Sequence, residues 1–130
     1  MANVIYTVRA ELDLDELQCL FSQAWGGRDK PHYDRVLDRA FGWVAARHGD
    51  RLVGFVNMAW DGGVHFFLLD TTVHPEYQRR GIGLELVRRS IEACQGAGAW
   101  MHVDADEELM QRLYLPAGFE RSAAGTVNVG

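Results

Sequence analysis

The chain has 130 residues and a formal net charge of −5, a length that suits one domain, residues 1–130, around one hydrophobic core. Nucleic acid and anionic membranes attract basic surfaces, so the acidic balance argues against both as partners. No apolar run approaches the roughly 18 residues of a membrane span, and the start, MANVIYTVRAELD, lacks the charged and apolar segments of a leader. A soluble, cytoplasmic protein is expected.

Val4 to Arg9 is rich in β-formers and reads as a first strand. Asp13 then precedes Leu14, with Glu16 three positions on, in the pattern of a capping box. Leu17, Leu20, Phe21, Ala24 and Trp25 follow at helical spacing, and Gly26-Gly27 ends the helix. Pro31 suits the first position of a second helix, continued by Tyr33, Val36, Leu37, Ala40 and Phe41. By periodicity Trp25, Tyr33, Phe41 and Trp60 read mainly as core.

From Trp43 the period becomes that of strands. WVAARH, LVGFVNMAW and HFFLLDTTV are separated by His48-Gly49-Asp50-Arg51 and Asp61-Gly62-Gly63, two hairpin signals, and predict an antiparallel meander. Ile82, Leu86, Val87, Ile91 and Cys94 form the apolar face of a further helix that stops near Gly96. WMHVD reads as another strand, and a short helix from about Glu107 to Tyr114 ends before Pro116. The tail from Phe119 has room for two short strands. The order predicts an α/β (α+β) domain, a mixed sheet with helices on both faces. Cys19 and Cys94 fall on apolar helix faces and are expected to be reduced and buried. His32, His48, His65, His74 and His102 form no ligand-spaced pair, so no metal site is expected.

The stretch VHPEYQRRGIG sets Gly81 and Gly83 at a helix mouth behind Arg79 and Arg80. The first turn of a helix has N–H donors with no partner, and glycine lets a ligand approach them, so an anion is implied. A P-loop would continue with Lys and Ser or Thr, where Leu84-Glu85 stands. A dinucleotide fingerprint would need Gly or Ala in place of Leu86, and a tight turn directly from strand to glycine. Glycines that merely begin a helix are the bland alternative.

The spacing of Val73, Gln78, Gly81 and Gly83 resembles the acetyl-coenzyme A signature of the GNAT superfamily of N-acetyltransferases, and Tyr114 with Gly118-Phe119 resembles its C-terminal motif. The resemblance implies the GNAT fold, a mixed central sheet of about six to seven strands with about four helices. It implies that the backbone N–H groups of Arg79, Arg80, Gly81, Ile82 and Gly83 hold the pyrophosphate of acetyl-CoA, flanked by Gln78. It also implies that the backbone of Thr72 and Val73 pairs with the pantetheine arm where the fourth and fifth strands splay.

Tyr114 aligns with a tyrosine that serves relatives as general acid; a core aromatic is the alternative. The glutamate base that some relatives carry on the fourth strand is replaced by Phe67. Asp70 is the first choice of base, with His65, His102 and Asp104 as the alternatives, a structural role for Asp70 as the competing reading, and deprotonation through water with no dedicated base as a further one. A bulge in that strand would decide which way Asp70 faces. The expected reaction is acetyl transfer from acetyl-CoA, as co-substrate and without a metal, to a primary amine of a small molecule or peptide by direct attack in a ternary complex. The departures at Phe67, Glu107 and Pro116 motivate the alternative of a non-catalytic acyl-CoA-binding module. A homodimer is expected because the short tail leaves a sheet edge to cover.

Overall fold

The computed structural model describes residues 3–27 and 30–130. Met1 and Ala2, which belong to the start of the chain read above, lie outside the described residues, as do Arg28 and Asp29. Among the described residues, one sheet holds β1 (Val4–Val8), β2 (Gly42–His48), β3 (Arg51–Trp60), β4 (His65–Val73) and β5 (Trp100–Val103), in that order. The first four are antiparallel neighbours, and β5 joins β4 in parallel. A parallel step needs a crossover, which the helix α3 (Ile82–Cys94) supplies. Two helices, α1 (Leu14–Trp25) and α2 (Tyr33–Arg39), link β1 to β2.

The sheet is buried on both faces, which is why its central strands are almost continuously apolar. On one face Val44, Val56, Met58 and Phe66 pack against Leu86 and Val87 of α3. On the other, Leu17, Leu20 and Phe21 of α1 and Tyr33 of α2 cover Ala45, Leu52 and Phe55. The helix α3 sits very close to β3 at Gly54, where a Cβ would lie 3.0 Å from Leu86 Cδ1 and 3.1 Å from Ile82 Cγ2. That contact seats the first turn of α3 against the sheet. No described helix is long and apolar enough to cross a membrane.

Several expectations need correction. The sheet has five strands rather than six to seven, because the described residues after Phe119 form none. Their apolar side chains have nothing to pack on: Val127 and Val129 are both exposed. The last helical stretch does not stop before Pro116. Instead α4 (Glu107–Leu109) runs into a π turn (Met110–Tyr114) and then α5 (Leu115–Ala117), so the proline sits in the first turn of a new segment, where its missing N–H costs least. Pro31 precedes α2 rather than starting it, because His32 at the N-cap takes a left-handed φ of 60°.

The capping box is half realised. Asp13 accepts from the N–H groups of Asp15 and Glu16, but the Glu16 carboxylate turns to Arg47 on β2, 2.7 Å away. Cys19 is exposed, since Leu17, Leu20 and Phe21 make up the buried stripe of α1. Cys94 is buried beside Met58, and burial pushes its thiol up to about 11.

Candidate active site

The cleft begins where β4 and β5 part. Their pairing ends at Leu68 and Val103, while β4 continues to Val73. On the other side of β4, Phe55 pairs with Thr72 and Asn57 with Leu69, so Val56 faces two residues, Asp70 and Thr71. This is a β-bulge, and Asp70 sits in it with a φ of 59°. A left-handed aspartate is strained by order 1–3 kcal/mol and persists only if its surroundings hold it.

They do. The Tyr33 hydroxyl donates to Asp70 Oδ2 at 3.0 Å, and Lys30 Nζ lies 3.0 Å from Oδ1. Burial, and then the charge of Asp70, push the Tyr33 phenol far up, so it keeps its proton and remains a donor. Trp25 of α1 donates from Nε1 to Thr72 Oγ1 at 3.2 Å, and Thr72 donates in turn to the carbonyl of Asp70. Trp25, Lys30 and Tyr33 are thereby tied to the bulge. Trp25, read from its spacing as core, is half exposed and lines the cleft.

Tyr114 enters from the opposite wall. Its ring is buried, and its hydroxyl donates to Thr71 Oγ1 at 3.1 Å. The spacing of Tyr114, Gly118 and Phe119 has a local cause. Gly118 ends the helix with a φ of 113°, the Phe119 N–H returns to the Tyr114 carbonyl at 3.0 Å, and the two rings meet edge to face. Burial raises the Tyr114 phenol, and the Thr71 bond offsets this only in part, so the group is a neutral acid at ordinary pH.

The third wall is the start of α3. Its N-cap is Gly81, left-handed at φ 85°, and no side chain caps the first turn. Arg79 is also left-handed, at φ 63°. Alternating left-handed residues turn successive N–H groups to one side, the geometry of an anion nest. The space where a Gly81 side chain would lie is empty, and a Cβ at Gly83 would meet Leu113 and Val73 at 3.6 and 3.7 Å. Gln78 bonds back to the Val73 carbonyl, and the Arg80 guanidinium lies over the Tyr77 ring.

The structure therefore brings Thr72, Val73, Gln78, Arg79, Gly81, Ile82, Gly83 and Tyr114 to one cleft of about 350 Å³. Arg80 flanks it, and Asp70 adjoins it through Thr71. Just before the nest, His74 is buried, accepting from the Glu76 N–H at Nδ1 and lying 3.0 Å from Arg51 at Nε2. Burial, then the Arg51 charge, lower its pKa. Glu107 is drawn to Arg121 rather than to the cleft.

Spacing failed to reveal two groupings. His65 and His102, 37 residues apart, lie side by side across β4 and β5 with ring nitrogens 2.7 Å apart, and Phe67 stacks on His102. These histidines are paired rather than scattered, because parallel strands bring them to one face. No group of three metal-ligating side chains occurs among the described residues. The other grouping is Lys30 with Asp70 and Tyr33. Its one sequence signal is composition: Lys30 is the single lysine among 13 basic residues.

A five-stranded mixed sheet thus opens beside the uncapped start of a helix, with the Tyr114 hydroxyl in the opening. The acetyltransferase (GNAT) family model matches residues 11–119, and the chain belongs to that family. It is similar to the N-alpha-acetyltransferase RimI of Mycobacterium tuberculosis, 33% identical over 82 residues that cover 61% of this chain and 52% of that protein. The mycothiol acetyltransferase of Mycolicibacterium smegmatis is 37% identical over 78 residues, covering 55% of this chain and 26% of that protein. The chain thus spans about half or less of the length of these relatives.

Among solved structures, a GNAT-family acetyltransferase from Streptococcus pneumoniae superposes with a TM-score of 0.83 at 21% identity over 98% of both chains. AAC(6')-Iy, in complex with a bisubstrate analogue containing CoA, superposes with a TM-score of 0.74 at 17% identity over 99% of both. At these identities the likeness is one of fold.

Proposed function

We propose that the protein transfers an acetyl group from acetyl-CoA to a primary amine of a small molecule or peptide, by direct attack with both substrates bound. One observation carries the reading: the uncapped first turn of α3 and the buried hydroxyl of Tyr114 open into the same cleft. The names of the relatives support it, since RimI is an N-alpha-acetyltransferase and mycothiol acetyltransferase an acetyltransferase by name, and AAC(6')-Iy was solved with a CoA-containing analogue.

In this reading the N–H groups of residues 79–83 bind the pyrophosphate, aided by the positive end of α3. Gln78 and Arg80 flank it. The backbone of Thr72 and Val73, beyond the last β4–β5 pair, pairs with the pantetheine arm as an added strand would. The thioester then lies against Thr71, within reach of Tyr114. On the amine side, the Asp70 carboxylate receives the proton that the ammonium must lose before it attacks. The amine nitrogen bonds to the acyl carbon and sheds its second proton to solvent, the carbon–sulfur bond breaks, and Tyr114 donates its proton to the departing sulfur, to be reprotonated from solvent.

Thiol release measured over a broad amine panel tests this. Turnover on at least one amine is the expected outcome; coenzyme binding with no turnover on any would select the acyl-CoA-binding module. The proposed setting is the cytoplasm and the proposed assembly a homodimer, supported by the exposed Trp100 on the outer strand. A mass that stays near 14.6 kDa at high micromolar concentration by light scattering rejects the dimer.

A further inference from the structure

Lys30 is set in place more firmly than a surface lysine needs to be. The Gln18 side chain grips both backbone groups of Lys30, donating to its carbonyl at 2.6 Å and accepting from its N–H at 2.9 Å. From that anchor the half-buried side chain reaches Asp70 at 3.0 Å, with its Nζ 5.5 Å from the centre of the Phe21 ring and 5.8 Å from that of Trp25. A carboxylate with aromatic faces is a site built for a primary ammonium. Trp25 lines the cleft, and Asp70 is followed directly by Thr71, which accepts the Tyr114 hydroxyl.

The choice of lysine is itself informative. Arginine supplies the cation in the pairs with Glu16, Glu76, Glu85, Glu107 and Glu108. Arginine also makes the better fixed pair with a carboxylate, through its planar fork of donors. Only beside Asp70 does the chain use lysine, whose flexible stem and single nitrogen give a nucleophile once a proton is lost.

We propose that Lys30 is an internal acceptor: the protein acetylates its own Lys30 at Nζ. This rests on the acetyl-transfer reading above. The ammonium gives one proton to Asp70 and through it to solvent. The neutral Nζ bonds to the acyl carbon of acetyl-CoA, the carbon–sulfur bond breaks, the sulfur leaves as the free thiol with the proton of Tyr114, and the second proton shed by Nζ restores Tyr114 by way of solvent. The products are an amide at Lys30, CoA and one released proton. Acetylation removes the charge that Asp70 holds, so it unties Lys30 from the bulge and frees the carboxylate for an external amine.

Because the chain has one lysine, the readout is unambiguous. The full chain is incubated with acetyl-CoA alone, and the site and extent of acetylation are followed by peptide mass spectrometry, separately from the N-terminal amine. We expect near-stoichiometric acetylation of Lys30 at a first-order rate that is independent of protein concentration. Lys30→Arg should abolish it, and Tyr114→Phe should slow it by about tenfold or more. Thiol release on the amine panel is measured on the same preparation. Turnover of an added amine with Lys30 left unmodified overturns the self-acetylation and leaves the transferase reading standing; absence of both overturns the two together. Equal rates of Lys30 modification in wild type and Gly83→Glu would show solution chemistry alone and also overturn it.

Discussion

The Tyr114 hydroxyl and the Thr71 hydroxyl meet at 3.1 Å across the cleft, with Tyr114 as donor. Tyr114→Phe removes that proton and keeps the ring against Phe119. The expected loss in kcat is about one to three orders of magnitude, with coenzyme affinity unchanged. Because burial raises this phenol, the fall in rate on its deprotonation should lie above pH ~10, the ordinary value for tyrosine. Steady-state rates against pH check both points; an unchanged rate when chemistry is limiting would make Tyr114 a core residue.

Gly83 separates bulk from charge at the phosphate site. It is helical, and a Cβ there makes ordinary contacts with Leu113 and Val73, so Gly83→Ala should fold normally. Gly83→Glu sets a negative charge beside the proposed pyrophosphate. At about 4 Å that repulsion is ~1–4 kcal/mol, depending on solvent exposure. Calorimetry should show coenzyme affinity reduced at least about tenfold in the glutamate variant, and much less in the alanine one. Equal affinities would put the ligand elsewhere.

Asp70 allows its charge to be tested apart from its backbone. Asparagine tolerates the left-handed φ of 59° and can still accept from Tyr33. Asp70→Asn should therefore keep the fold while lowering kcat by about 10²-fold or more. Asp70→Ala faces a further backbone cost of ~1–2 kcal/mol, visible as a lower denaturation midpoint. A fully active Asp70→Asn would assign the carboxylate to structure alone.

His74 should make stability depend on pH in a defined window. Its folded pKa lies below the unfolded value of about 6.5, so below that pH the unfolded chain binds a proton that the folded chain refuses. Stability should fall as pH drops from about 6.5 toward the folded pKa, and be unaffected by this group above it. His74→Asn can keep the cap on the Glu76 N–H without titrating. Urea denaturation of both proteins at pH 5 to 8 should show a shallower pH dependence in the variant; parallel curves would exclude His74 as the cause.

What could be read from the residues was whatever is local. The spacing of Gly81 and Gly83 before an amphipathic run, and of Tyr114 before Gly118, acts over one helical turn, and the structure carries both as helix ends. The meander from Trp43 to Val73 was legible through its turn residues. The ion pair of Lys30 with Asp70 was not, because it joins residues 40 apart through a left-handed bulge that no local spacing marks. His65 and His102 escaped for a similar reason: only the β4–β5 register brings them together. The two expected tail strands had only the short alternation of Val127, Asn128 and Val129, whose apolar side chains find nothing to pack on, and composition alone does not make a strand.

The early parting of β4 from β5 bears on how long the protein lasts as well as on what it binds. Leu69 to Val73 extends beyond the last β4–β5 pair, so this part of the sheet is short of a neighbour in the free chain. A ligand that completes it binds the folded form alone and adds free energy by mass action, ~2.7 kcal/mol at a hundredfold excess over its dissociation constant. If acetyl-CoA is that ligand, as proposed, a preparation stripped of coenzyme should melt earlier than one saturated with it.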